Sequence, residues 1–182
     1  MARPIVFLDI DEVICLRQPE ACLKLADAIS RGDLPSSELA AVFSPIARNA
    51  LAVAHRRSPG LRYVISSIWR VHFTREQMVS ILDGAGFYFV ATNLHEGDAW
   101  RCAAPGGGRD REAEILEWLE TYDEAAPFAV LDDHQSGGSL LLSNSLRDSA
   151  LYGRVVICTP GIGLTMAHVD FLVAALQRRG SS

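Results

Sequence analysis

The sequence has few cysteines and no long apolar run, and both features exclude classes of protein. Its four cysteines form no Cys-x-x-Cys pair and match no histidine spacing; they are Cys15, Cys22, Cys102 and Cys158. We therefore expect reduced thiols rather than a disulfide framework or a zinc site. No apolar run approaches the length that spans a bilayer. The opening residues, MARPIVFLDID, lack the order of a signal peptide because Asp9 comes too early, so we expect a cytoplasmic protein with no membrane partner and no disulfide-linked partner.

An excess of basic charge is also absent. The 182 residues carry 17 basic and 22 acidic side chains, which gives a net charge of −5 at pH 7. This balance argues against a broad, non-specific nucleic-acid surface but leaves room for a local basic patch. Apolar residues form 49% of the chain. A chain of this length can bury a full core, so we expect one domain over residues 1–182.

Short apolar runs bounded by glycine, proline or polar residues recur along the chain and predict buried parallel strands. They are Ile5–Leu8, Arg62–Ile65, Phe87–Ala91, Phe128–Leu131 and Arg154–Cys158. Between them lie segments with helical period, namely Ser44–Arg57, Thr74–Gly84, Arg111–Tyr122 and Met166–Arg178. This alternation predicts an α/β fold with a mainly parallel sheet. Loops are predicted at Arg17–Ser37 and Asn93–Gly108, with a small helical insertion around residues 17–42 that includes a helix over Ala21–Ile29.

Short polar side chains follow three of the predicted strands, at the sheet edge where ligands bind in parallel sheets. They are Asp9 and Asp11, then Ser66 and Ser67, then Asp132 and Asp133. Four carboxylates at one edge would repel one another unless a cation compensated them, and Mg²⁺ prefers oxygen ligands. The alternative is that these aspartates cap helices and form turns. Two pairs after two buried strands favour the metal site.

Taken in order, four segments resemble the motifs of the haloacid dehalogenase (HAD) superfamily. The first is Asp9-Ile10-Asp11-Glu12-Val13, which is similar to D-x-D-x-T/V, and the second is YVISS, ending at Ser67. The third lies in RDREAEILEWL, residues 109–119, where Arg111 fits the register better than Arg109. The fourth is Asp132-Asp133. The resemblance covers nearly the whole chain.

Further segments resemble one subgroup, the HAD domains associated with Swiss Army Knife RNA repair proteins. These segments are Phe43-Ser44-Pro45, Ser66-Ser67-Ile68-Trp69-Arg70 and Gly163–Thr165. The resemblance implies a three-layer, Rossmann-like fold with helices on both faces of the sheet and no large cap domain. It implies a phosphorylated substrate, with nucleotides and nucleic-acid ends among the candidates.

The resemblance also implies a mechanism, that of a Mg²⁺-dependent phosphatase. Asp9 would attack the phosphorus to form an aspartyl-phosphate, and Asp11 would serve as general acid and then base. Ser67 and Arg111 would stabilise the phosphoryl group. The remaining implied contacts are Ser66, Arg70 and Arg109 for substrate, and Asp9, Asp11 (through its backbone), Asp132 and Asp133 for Mg²⁺.

Other functions are weighed against this one. A dehalogenase would lack the second Asp, present here as Asp11, and a phosphotransferase or mutase would usually bring a larger cap domain. Glu12 stands where the superfamily usually has Gly, which is sterically unfavourable if the position needs positive φ. That departure favours a rival, a non-catalytic HAD-fold binding or regulatory module. Arg70 fits a phosphate contact and a structural ion pair equally well, whereas Trp69 is expected in the core.

Overall fold

The computed structural model describes residues 2–16, 24, 27–28, 31, 41–103, 110–123 and 125–178. Its sheet contains four strands: β1 (Ile5–Leu8), β2 (Arg62–Ile65), β3 (Phe128–Asp133) and β4 (Val155–Cys158). The strand order is β2-β1-β3-β4, and all neighbouring strands are parallel. The predicted α/β fold with a parallel sheet is confirmed. The strand that was predicted to end at Leu131 continues through Asp132 and Asp133, which matters for the site.

Helices connect these strands. They are α1 (Pro45–Arg57), α2 (Trp69–His72), α3 (Arg75–Gly84), α4 (Tyr88–Ala91), α5 (Arg111–Tyr122), α6 (Leu140–Ser145) and α7 (Val169–Gln177), with 3₁₀ turns at Gly97–Trp100 and Met166–His168. Helices α1, α3 and α5 each begin at a capping residue. Thr74 and Gln77 form a complete capping box at the start of α3. The Asp110 side chain accepts the N–H of Ala113, 2.9 Å away, and so caps α5.

The helices cover both faces of the sheet because successive strand residues point to opposite faces. Val6 and Leu8 pack in a buried cluster with residues of α1, α3, α4 and α7. Ile5 and Phe7 pack in a second cluster with residues of α5 and α6. The three-layer arrangement predicted from the sequence is therefore confirmed.

The prediction of a strand at Phe87–Ala91 is wrong, because Tyr88–Ala91 is helical. The backbone N–H of Phe87 bonds to the Leu82 carbonyl at 2.7 Å, so the chain turns back at the end of α3 instead of extending. A short apolar run does not distinguish a buried strand from a buried helix. Two single bridges, Leu94 to Tyr63 and Arg101 to Ile65, lie beside β2 instead.

Some predictions fall on parts of the chain outside the described residues. They include most of the helical insertion around residues 17–42, Cys22 and Arg109. The prediction of one domain over residues 1–182 stays a prediction. Cys15, Cys102 and Cys158 are buried, and the thiols of Cys102 and Cys158 are free. None of the helices within the described ranges has the length and apolar character needed to cross a membrane.

Candidate active site

The register of the sheet places three polar residues level with one another at its carboxyl edge. Leu8 pairs with Ile65 on one side and with Leu131 on the other. The next residue of each strand is polar, and these residues are Asp9, Ser66 and Asp132. The Asp9 N–H bonds to the Leu131 carbonyl at 2.9 Å, which continues the ladder to the edge. The apolar strands therefore bring Asp9 and Asp132 together on neighbouring, rigid supports.

Three aspartates form a buried acidic cluster at this edge. Carboxylate oxygens of Asp9, Asp132 and Asp133 all lie within 4.8 Å of one another. The Oδ2 atoms of Asp9 and Asp132 are buried and have no hydrogen-bond partner among the described residues. Burial, and then repulsion from Asp132, raises the pKa of Asp9 well above its ordinary value. Burial also raises the pKa of Asp132. Crowded, buried carboxylate oxygens fit a hard divalent cation such as Mg²⁺.

The turn after β3 fixes the two aspartates of the fourth motif. Asp133 Oδ1 accepts the backbone N–H groups of Gln135 and Ser136, the latter at 3.0 Å. The Ser136 hydroxyl lies 2.5 Å from Asp132 Oδ1 and 2.9 Å from Asp133 Oδ2. The backbone of Gly137 lies so close to Asp132 that a Cβ atom added to Gly137 would be 2.6 Å from the Cβ of Asp132. The carboxylates are therefore held in place by the protein itself.

Arg111, the first residue of α5, brings a positive charge to the cluster. Its Nε lies 3.1 Å from Asp132 Oδ2, and its Nη2 lies 3.9 Å from Asp9 Oδ1. The Nε–H has no hydrogen-bond acceptor among the described residues despite the short distance, so the contact with Asp132 is an ion pair without a hydrogen bond. Burial disfavours the charge of Arg111, but Asp132 and Asp9 outweigh it and raise its pKa. Arg111 therefore occupies the position expected for the third motif.

Asp11 lies outside the acidic cluster and accepts a hydrogen bond from Trp69. The indole Nε1–H of Trp69 donates to Asp11 Oδ1 at 2.7 Å. Burial raises the pKa of Asp11 to about 6; the Trp69 hydrogen bond lowers it, while Asp133 and Glu12 raise it. A carboxyl group in this range can give and take a proton near neutral pH. The sequence predicted a buried Trp69 but not this hydrogen bond.

The two serines after β2 are both fully buried. A hydrogen bond from the Ser67 side chain lowers the pKa of Asp9, so Ser67 contacts the residue predicted to be the nucleophile. The Ser66 hydroxyl is buried and has no hydrogen-bond partner among the described residues. Ser67 thus lies where the second motif is expected, with Ser66 beside it.

Arg70 lies beneath the site, only 1% exposed. Its guanidinium donates to Glu114 at 2.8 Å and to the Ser67 and Ala103 carbonyls at 2.7 and 3.0 Å. This geometry matches the structural ion pair, one of the two roles that the sequence left open for Arg70. Glu114, also buried, lies 3.5 Å from Arg111 and so links the two arginines. Sequence reasoning missed Glu114, although its spacing of three residues from Arg111 on one helix was a usable signal.

A cleft of about 620 Å³ opens over the acidic cluster. Its described lining consists of Asp9, Asp11, Glu12, Ile68, Arg111, Asp133, Gln135, Ser136, Pro160 and Gly161. Glu12 has a φ of 54°. Gly adopts positive φ without a steric penalty, which makes it usual at this position, whereas Glu12 adopts the same φ with a side chain. The cleft gives a substrate access to Asp9, Asp11 and Arg111 together.

The chain that carries this site matches a known protein family. The sequence profile of the family described as the HAD domain in Swiss Army Knife RNA repair proteins matches residues 5–169. The chain belongs to this HAD family. Membership supports phosphatase-type hydrolase chemistry in general terms, and the motifs of this HAD domain meet at the acidic cluster.

A second likeness covers only part of the chain. A 74-residue segment is 36% identical to a protein named PqqA peptide cyclase from Ruegeria pomeroyi. The match covers 37% of this HAD domain and 19% of that protein, so the chain spans about a fifth of that curated relative. No solved structure matches the chain.

Proposed function

We propose that this HAD domain is a Mg²⁺-dependent phosphomonoesterase that acts through an aspartyl-phosphate on Asp9. The observation that carries the proposal is the placement of Asp9. Its buried carboxylate has an oxygen without a hydrogen-bond partner among the described residues, lies beside Arg111 and the Asp132–Asp133 pair, and lines the 620 Å³ cleft. Nucleotides and nucleic-acid ends are the first substrates to test, because the family is described from RNA repair proteins.

The reaction proceeds in two displacements. In the first, an Asp9 oxygen attacks the phosphorus, the ester P–O bond breaks, and Asp11 gives its proton to the leaving oxygen. In the second, water attacks the same phosphorus and gives its proton to Asp11. The bond between Asp9 and phosphorus then breaks, which releases inorganic phosphate and restores the Asp9 carboxylate. Asp11 suits both roles because its pKa of about 6 lies near neutral pH.

Charge on the phosphoryl oxygens needs stabilisation in both displacements. Arg111 supplies a fixed guanidinium within 3.9 Å of Asp9, and Ser67 supplies a hydroxyl beside the same carboxylate. Asp9, Asp132, Asp133 and the backbone at Ile10 and Asp11 would hold Mg²⁺, which would supply further positive charge when bound. Rigid support from Ser136 and Gly137 keeps the acidic pair in position for it.

Release of phosphate from a substrate panel tests this proposal. The panel contains an aryl phosphate, 5′-nucleotides, and oligonucleotides phosphorylated at either end, each assayed with Mg²⁺ and with a chelator. Mg²⁺-dependent release from at least one substrate is expected. No release from any substrate, under conditions where the protein is folded, would contradict the proposal.

A non-catalytic binding or regulatory module is the second candidate, and Glu12 is the observation that favours it. A side chain at positive φ in the first motif adds bulk and negative charge beside Asp11. Such a module would bind phosphorylated ligands without releasing phosphate. Calorimetric binding of a phosphorylated ligand by a protein that releases phosphate from none of the panel substrates would favour the module, whereas phosphate release would favour the enzyme.

A further inference from the structure

Glu12 is the only non-glycine residue with positive φ in the described part of the chain. A left-handed conformation is sterically unfavourable for a residue with a Cβ, because the Cβ lies too close to the following carbonyl oxygen. The backbone around it is firmly held, since the Glu12 N–H bonds to the Cys15 carbonyl at 2.7 Å. Unfavourable backbone of this kind at a site calls for a compensating contact.

The Glu12 side chain contacts a turn far along the chain. The Glu12 carboxylate accepts the backbone N–H of Gly161. Gly161, at φ 73°, forms the tip of the turn Thr159–Gly163, which follows β4 and is closed by a 2.9 Å bond from the Gly163 N–H to the Thr159 carbonyl. The bond to Glu12 therefore joins the first motif to the tip of a distant turn.

The base of the same turn is held separately. The Leu164 N–H bonds to the Val13 carbonyl at 2.9 Å, and Gly163 packs so closely that an added Cβ would lie 2.6 Å from that oxygen. These contacts do not involve the Glu12 side chain. Loss of the carboxylate would free the tip of the turn and leave its base in place.

The tip of the turn is part of the cleft wall. Pro160 and Gly161 line the cleft next to Glu12 and Asp11. Asp11 is the residue that gives a proton to the leaving oxygen in the proposed mechanism. The wall beside it is therefore where the leaving group of a phosphate ester would lie.

We propose that Glu12 is a positioning residue whose hydrogen bond from Gly161 holds the Pro160–Gly161 wall of the cleft in place and thereby sets how the leaving group is held. We call this hydrogen bond the latch. The proposal rests on the phosphatase function proposed above. With the latch closed, the wall contacts a compact leaving group. Without it, the wall moves away, and binding of that group weakens more than the chemical steps slow down.

Amide hydrogen exchange measured by NMR tests the latch without any need for turnover. The Gly161 amide should exchange at least about tenfold faster in Glu12→Gly than in wild type, and Glu12→Gln, which keeps an acceptor, should lie between them. The Leu164 amide serves as the internal control and should be unchanged in all three proteins. Equal Gly161 exchange in wild type and Glu12→Gly would overturn the latch.

Kinetics with an aryl phosphate test its consequence. Glu12→Gly should raise KM by about fivefold or more while kcat changes by less than about twofold, and Glu12→Gln should recover most of the loss. The matched control Asp148→Asn removes one exposed carboxylate elsewhere and should leave both constants unchanged. An unchanged KM in Glu12→Gly would overturn the role in substrate binding. Absence of turnover in wild type would instead refute the proposed function, and the exchange measurement would still decide the latch.

Discussion

The indole N–H of Trp69 donates a 2.7 Å hydrogen bond to Asp11 across 58 residues of sequence. Trp69 is fully buried, with the rings of Phe43 and Phe73 centred 5.9 and 5.6 Å from its own. The packing of Trp69 therefore holds its indole N–H in one place, and the hydrogen bond from this N–H orients the Asp11 side chain. Because the bond favours the charged carboxylate, it opposes the burial that raises the pKa of Asp11 to about 6.

Replacement of Trp69 by Phe should shift the pH dependence of turnover. Without the hydrogen bond, the pKa of Asp11 rises further, so Asp11 stays protonated to higher pH as an acid and becomes available as a base only at higher pH. The kcat–pH profile should therefore move to higher pH. The buried ring is largely kept, so we expect a stability loss of only about 1–2 kcal/mol.

Trp118→Phe provides the matched control for that measurement. Its buried indole donates to the Ala99 carbonyl at 2.9 Å, within the other core cluster. The same chemical change there should cost comparable stability and leave the pH profile where it is. Equal profile shifts in both variants would contradict a specific role for Trp69.

A divalent cation should stabilise the folded protein. Binding to the native state alone adds about 2.7 kcal/mol at a free concentration near 100-fold above Kd. Mg²⁺ should therefore raise Tm by several degrees in wild type and much less in Asp132→Asn. Asp11→Asn should keep most of the rise, because Asp11 lies outside the acidic cluster. An equal rise in wild type and Asp132→Asn would rule out the cluster as the binding site.

The metal-free protein should lose stability as the pH rises. The pKa of Asp11 is raised to about 6 in the folded state, mainly by burial, from an unfolded value of about 3.9. The folded state therefore binds more protons, and the contribution of Asp11 is fully present below about pH 4 and lost as the pH rises through about 6. The loss is on the order of 2–3 kcal/mol. Urea unfolding of wild type and Asp11→Asn isolates this contribution, and parallel stability–pH curves for the two would contradict it.

The buried ion pair between Arg70 and Glu114 should contribute to folding stability rather than to substrate binding. Arg70→Met leaves the Glu114 carboxylate buried without its 2.8 Å partner, which we expect to cost about 3–5 kcal/mol. Arg57→Met, which removes the exposed pair with Asp170, should cost less than about 1 kcal/mol. If Arg70 bound substrate instead, Arg70→Met would raise KM and retain wild-type stability. Chemical unfolding together with steady-state kinetics separates these outcomes.

Much of the site could be predicted because its parts lie at strand ends. In a parallel sheet, an apolar run followed by Asp or Ser indicates both the strand and the edge to which its polar residue belongs. The confirmed ends of β1 and β2, together with the pairing of Leu8 and Leu131, therefore place Asp9, Ser66 and Asp132 at one level. The position of Arg111 followed in the same way from the start of α5.

The missed features depend on contacts between segments that are distant in the sequence. Trp69 could be placed in the core by its apolar character, but nothing in its local pattern identifies Asp11 as the acceptor of its N–H. For Glu12, the sequence raised positive φ only as a condition, and the Gly161 N–H that its side chain accepts lies 149 residues away. The helix at Tyr88–Ala91 was missed because four apolar residues carry no period that separates it from a strand.

The most direct test of the central claim is the mass of acid-quenched Asp11→Asn protein after incubation with Mg²⁺ and an activated aryl phosphate. A good leaving group needs no proton, so the first displacement should proceed, whereas the second should stall without its base. We predict a mass gain of one phosphoryl group, located on the peptide that contains Asp9 and absent from the Asp9→Asn/Asp11→Asn double variant. Phosphate release by Asp9→Asn at the wild-type rate, with no phosphorylated peptide in Asp11→Asn, would contradict the account.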